Sequence, residues 1–187
     1  MKHNFSRNFK SFIKNLIPKS IPASFPKSKK EESEFGKSKK GVLVCKKCNA
    51  LLWQGSWHHK YEIKKNIRKN KHNGFTICPA CKMIEDKIYE GEVIIENINP
   101  EIKNYVVNTI KNKGEEGFKS DPQDRIISVH NDDYNGKINV LTTENQLALK
   151  IARKIKKSFN GTMKVIYSKK ESVVRVHVML NNIKTAY

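Results

Sequence analysis

Apolar and polar positions change their period several times along this chain. At the start, Phe5, Phe9, Phe12, Ile13, Leu16 and Ile17 fall at helical spacing among basic residues. Pro18, Pro22, Pro26 and the Ser/Lys run after them then mark a linker that ends near Lys40. Three short apolar runs follow, Val42-Leu43-Val44, Leu51-Leu52-Trp53 and Phe75-Thr76-Ile77, and each predicts a strand. Lys82 to Glu90 reads as a connecting segment broken by Gly91. Beyond it, Glu92–Asn97 predicts a strand. Pro100–Asn112 predicts a helix, with Asn99 as its cap and Gly114 past its end. Arg125–His130 and Lys137–Thr142 predict two strands joined by a turn at Asn135-Gly136. Thr143-Glu144-Asn145-Gln146 reads as a capping box that opens a helix to Phe159, ended by Asn160-Gly161. Thr162–Tyr167 and Val173–Leu180 complete the set as strands.

The predicted order after Gly91 is β-α-β-β-α-β with one further strand. Its first six elements match the split βαβ, ferredoxin-like sandwich. The fold class expected is therefore α+β. A small four-cysteine zinc ribbon precedes a ferredoxin-like βαββαβ(β) domain, and a disordered basic arm precedes both. The divisions fall at 1–40 for the arm and linker, 41–90 for the cysteine module and 91–187 for the sandwich.

The cysteines sharpen this picture. The chain has four, in two brackets of one spacing, Cys45-Lys46-Lys47-Cys48 and Cys78-Pro79-Ala80-Cys81. Paired C-x-x-C brackets let four thiolates close a tetrahedron around one Zn²⁺, so Cys45, Cys48, Cys78 and Cys81 are the candidate metal ligands. Two strand-bracket units facing one metal make the layout of a ribbon or treble clef. The 29 residues between the brackets exceed the common spacing and read as an insertion. Disulfides are the alternative use of four cysteines, and no secretory signal accompanies them. His58, His59 and His72 lie between the brackets, but four thiolates already complete a zinc shell.

Charge points to the partner. Lys and Arg total 37 against 18 acids, a net +19. Such a surplus implies a polyanion, most simply nucleic acid, with an anionic membrane second. No run of 18 apolar residues is present, so a transmembrane helix is not expected, and a cytoplasmic protein is. No nucleophile motif, P-loop or dinucleotide fingerprint appears, so an enzyme is not expected either.

Two stretches concentrate the charge. In the insertion Lys60, Lys64, Lys65, Arg68 and Lys69 stand against one acid, Glu62, and interleave with Trp57 and Tyr61, a pattern suited to phosphate contact and stacking. On the helix from Thr143, one face carries Leu147, Ala148, Ile151, Ala152, Ile155 and Phe159. The opposite face carries Lys150, Arg153, Lys154 and Lys157, and no acid follows Glu144. Both stretches are candidate nucleic-acid contacts, and the plainer reading of each is a solvated basic surface. On the open face of the sheet the phase places Ser128, His130, Asn139, Lys164, Arg175 and His177, polar and mildly basic, without an aromatic pair to stack bases.

Four short segments carry a resemblance. They are Cys78-Pro79-Ala80-Cys81, Glu90-Gly91-Glu92-Val93, Asp124-Arg125-Ile126, and Thr142-Thr143 with Leu147-Ala148 and Ile151. Together they resemble an uncharacterised family of small bacterial zinc-ribbon proteins. That family's pattern is similar to the N-terminal zinc region of the Nmd-type adaptor of the large ribosomal subunit. The resemblance spans roughly residues 42–187 and implies a zinc-stabilised module that binds the ribosome or ribosomal RNA, with the four cysteines as ligands and no catalytic residue. The basic arm and the lysine-rich insertion depart from the family. The expectation is a zinc-containing, cytoplasmic RNA-binding protein. A DNA-binding zinc ribbon and an envelope-associated interaction module are the alternatives.

Overall fold

Strand pairing follows the apolar runs. The computed structural model describes residues 42–62, 72–168 and 172–181, which belong to one unit, Lys40–Tyr187. The expected arm, and Lys64, Lys65, Arg68 and Lys69 of the insertion, lie outside the described residues. The architecture is α+β with two mixed sheets.

The first sheet contains β1 (Val42–Cys45), β2 (Leu51–Trp53), β3 (Ser56–His58) and β4 (His72–Thr76), in the order β3-β2-β1-β4. Between β2 and β3 the two-residue turn is Gln54-Gly55, both at positive φ (52° and 82°), the geometry that matches the twist of a tight hairpin. β4 pairs parallel to β1, with Thr76 opposite Cys45.

One correction concerns the segment after the second bracket. Helix α1 (Pro79–Asp86) begins inside the bracket and occupies much of what reads in sequence as a connection. Its cap is Cys78, whose sulfur accepts from the Cys81 amide, and Pro79 fits the first turn because that position needs no donor. A left-handed Lys87 ends it.

The second sheet contains β5 (Gly91–Glu96), β6 (Ile126–Asp132), β7 (Lys137–Thr142), β8 (Gly161–Tyr167) and β9 (Val174–Leu180). Helix α2 (Lys103–Ser120) follows β5 through a short 3₁₀ turn, and α3 (Asn145–Ser158) joins β7 to β8. The strand order is β6-β7-β5-β9-β8. In a ferredoxin-like order the fourth strand, β8, would lie beside β5. Instead β8 turns back through β9, and β9 takes that place, parallel to β5. Val93, Ile95, Ile138, Val140, Val176 and Val178 face the helices and are at most 1% exposed. Beneath Val106, Ile110, Leu147, Ile151 and Ile155 they form the core.

Two further corrections concern the helices. α2 does not stop before Gly114 but runs through it and through Gly117, both buried. A Cβ on Gly117 would lie 2.8 Å from Leu147 Cδ1, and one on Gly114 would lie 2.9 Å from Ile126 Cγ1. These glycines let neighbours approach the helix rather than end it. α3 is capped at Glu144, not Thr143, and without a side-chain bond. Thr143 is fully buried, donates to the Gln123 carbonyl and accepts from the Arg125 amide.

Gly91 marks a close contact between the sheet and α3. A Cβ there would lie 2.6 Å from Ala148 Cβ and 3.0 Å from the Glu144 carbonyl, neither of which moves without moving the helix. Gly91→Ala is therefore expected to destabilise the fold by about 1–3 kcal/mol. A urea unfolding midpoint equal to that of the parent chain would refute this packing.

Candidate metal centre

Convergence of the four cysteines starts from the β1–β4 pairing. With Cys45 opposite Thr76, both strands end at one edge, and their brackets leave side by side. The first bracket folds as a tight knuckle. Asn49, at φ 61°, donates its amide to the Cys45 carbonyl, and the Cys45 amide donates to Ala50. A bond from the Lys46 amide to the Thr76 carbonyl ties the knuckle to β4. The second bracket is the first turn of α1.

The result is one cluster. The four sulfurs lie within 4.8 Å of one another, and no histidine or carboxylate joins them among the described residues. Cys48 Sγ and Cys78 Sγ are 3.6 Å apart. Thiolates about 2.3 Å from one ion in a tetrahedron stand about 3.8 Å from each other, so the spacing fits a single metal. All four cysteines are free of disulfides. Cys45, Cys78 and Cys81 are buried, Cys48 is half-buried, and Ala50, Ala80 and Trp57 pack around them.

The surroundings prepare the sulfurs unevenly. Burial opposes ionisation of Cys45, but amide donors from Cys78, Cys48 and Lys47 outweigh it and lower the thiol to about 6. The Cys78 amide bond to that sulfur is 3.3 Å. Burial pushes Cys78 up to about 11 and raises Cys81 further, with the neighbouring thiols adding to the rise. Lys47 pairs with Glu85 of α1 at 2.8 Å, which ties the knuckle tip to the helix and raises the lysine pKa.

The module is fastened to the α/β part by specific contacts. His59 is buried, bonds through Nε2 to the Phe118 carbonyl at 2.5 Å, and stacks on Tyr61 at 5.0 Å. The Tyr61 hydroxyl donates to the Lys119 carbonyl at 3.1 Å. The Ala80 amide donates to Gln123 Oε1 at 3.1 Å, and the His59 ring also meets edge-on the Phe118 ring, which on the α/β side lies under the Arg125 guanidinium. Sequence reading missed this seam. Its one visible signal is the His58-His59 pair beside Tyr61, and nothing in the order of residues points it at Phe118.

The candidate cations divide. Lys60 is exposed at the start of the connection from β3 to β4. Arg153, Lys154 and Lys157 are exposed on α3, joined by Lys156. Lys150 is also exposed, but its charge is partly compensated, because its Nζ lies 3.0 Å from the carboxylate of Asp124, whose side chain is 8% exposed. No acid follows Glu144 on α3, but Asp124 arrives from the turn before β6. The open face of the large sheet is also less basic than its sequence phase implies. Cross-strand register aligns His130, Asn139, Ile94, His177 and Lys164 in one row. Glu92 binds Arg175 and Asn139, each at 3.0 Å. Glu96 lies 2.7 Å from Lys137, which holds its carboxyl below the usual range, with His177 contributing less.

Metal and protons compete for the same sulfurs. With Cys78 and Cys81 raised, both are thiols at neutral pH in the metal-free chain, so uptake must expel protons and affinity must fall as pH falls. In weakly buffered solution at about pH 7, binding of one Zn²⁺ is expected to release about two or more protons. Cys48→Ser is expected to cost more than the 10–100-fold typical of outer-shell changes, read by chelator competition. Uptake without proton release, or unchanged affinity in the serine variant, would exclude a four-thiolate site. No protein-family model, curated protein or solved structure matches this chain.

Proposed function

We propose that this chain is a zinc-stabilised RNA-binding protein that engages ribosomal RNA through phosphate contacts. Zinc is favoured by the donor set. Four thiolates in a closed shell, three of them buried and Cys48 half-buried, suit a borderline-soft ion with no redox duty and leave no open position for a substrate. The knuckle followed by a helix-borne pair is the treble-clef alternative to a two-knuckle ribbon. The α/β part reads as a variant of the ferredoxin-like arrangement in which β9 is inserted between β5 and β8.

The observation that carries the nucleic-acid reading is the exposed face of α3. Arg153, Lys156 and Lys157 have no ion-pair partner among the described residues. Lys154 is exposed beside Glu116 and contributes to lowering that acid's pKa. A cationic helix face in a chain of net +19 supports backbone recognition of a polyanion. RNA is preferred over duplex DNA because the resemblance to ribosome-binding zinc regions points there. Binding by charge and shape needs no catalytic group, and no catalytic role is proposed.

Removing Arg153, Lys154 and Lys157 as contacts is expected to flatten the slope of log K against log salt by about 2–3. Anisotropy titrations of structured RNA and matched duplex DNA with the Arg153→Glu/Lys154→Glu/Lys157→Glu variant read this directly. An unchanged slope would remove α3 from the interface, and tighter binding of the DNA at equal salt would favour the DNA-binding alternative.

A further inference from the structure

The first turn of α1 places the second pair of cysteines, and its amides can be followed one by one. Pro79 has no N–H. The Cys81 amide bonds to Cys78 Sγ at 3.4 Å, and the Lys82 amide bonds to the Cys78 carbonyl at 3.0 Å. The remaining donor is the amide of Ala80, which lies between the two ligands and is 1% exposed. A buried amide left without an acceptor costs about 1–3 kcal/mol. Its acceptor is Gln123 Oε1, 43 residues away in the turn before β6.

We infer that Gln123 is a positioning residue for the metal centre, and that Cys45, Cys48, Cys78 and Cys81 form a complete site only when the 121–123 turn of the α/β part docks on the first turn of α1. This inference rests on the metal reading proposed above.

Two features set Gln123 apart from an ordinary seam contact. Its backbone is held from both ends. The Gln123 amide donates to Asp121 Oδ1 at 2.8 Å, and the buried Thr143 hydroxyl donates to its carbonyl. The side chain therefore projects from a fixed point. Its Nε2 is buried with no hydrogen-bond partner among the described residues. An amide whose donor half is unsatisfied contributes through its acceptor half, and that half meets the ligand turn. The Ala80 donor also fixes which end of the amide is the oxygen.

Outer-shell partners of metal ligands orient them and commonly change affinity by about 10–100-fold when removed. By linkage, a metal that needs the docked turn also strengthens the docking. Metal loading and attachment of the cysteine module are then one equilibrium.

The test uses the full chain and Co²⁺, whose thiolate absorption reports both sulfur count and occupancy, with Zn²⁺ competition for affinity. Gln123→Met keeps the volume and removes the acceptor. Gln123→Glu keeps the acceptor. The expected result is that Gln123→Met shifts the Co²⁺ midpoint by about 10-fold or more while the four-sulfur spectrum returns at saturation. Gln123→Glu is expected to restore most of the affinity. Parent-like binding by Gln123→Met overturns the inference. So does an equal loss in both variants, because a packing role would not distinguish them. A parent chain that takes up no Co²⁺ overturns the metal reading itself, and this inference with it.

Discussion

The parallel pairing of β1 with β4 is the constraint on which the rest depends. Parallel neighbours need a long crossover, here residues 46–71, which carry β2 and β3. That pairing sets Cys45 across from Thr76, two residues before Cys78, so the two brackets emerge from adjacent strand ends. Convergence of four sulfurs then needs only a knuckle on one side and a helical turn on the other. A sheet of four short strands buries little apolar surface, and Val42 with Leu51 forms its small buried cluster. A module of this size gains from a bound metal, since binding free energy at a closed thiolate site is folding free energy.

The α/β part contributes rigidity at the place where the module docks. Thr143, buried between β7 and α3, fastens the turn that carries Gln123 and Asp124. Asp124 in turn reaches Lys150 on α3, so the same turn holds the last helix. Gly91, Gly114 and Gly117 allow these layers to close without steric conflict. The seam is thus built from backbone carbonyls, one amide side chain and stacked rings. Such contacts fix orientation more than they add bulk apolar burial.

Much of this was legible in the sequence. The strands from β5 to β9 follow alternation and turn chemistry, and Asn99 does cap, though it caps the 3₁₀ turn before α2 rather than α2 itself, with its Oδ1 accepting from the Glu101 amide. The grouping of the four cysteines is foreshadowed by their bracket spacing, although the parallel pairing that brings the brackets together is not. What was not legible depends on neighbours distant in the chain. The α1 helix is short and capped by a cysteine, which lacks the signature of the usual capping residues. Gly114 reads as a stop because a local rule cannot see Ile126 pressing on the helix. The place of β9 between β5 and β8 is a matter of tertiary pairing, since a final strand has no local mark of its position in a sheet. Lys150 looked unpaired for the same reason, because its acid lies 26 residues earlier.

The distribution of charge over the α/β part bears on why the basic surplus exists. On the sheet face away from the helices, Glu92 and Glu96 meet Arg175, Lys137 and His177, so that surface is largely compensated. A fold selected for solubility alone would show the same mixture on α3. There the compensation is confined to Lys150 and, in part, to Lys154 beside Glu116. Beyond Lys150, four basic side chains follow within five residues, exposed and with no acid on their helix after Glu144. Like charges so close repel one another, which weakens the helix in isolation. That cost falls only when counter-ions or phosphates gather over the face. Counter-ions released from a polyanion add an entropy gain that dispersed salt does not supply. On the proposed reading, the face left positive at α3 is where an extended polyanionic partner would sit, while the neutralised sheet face would take no part.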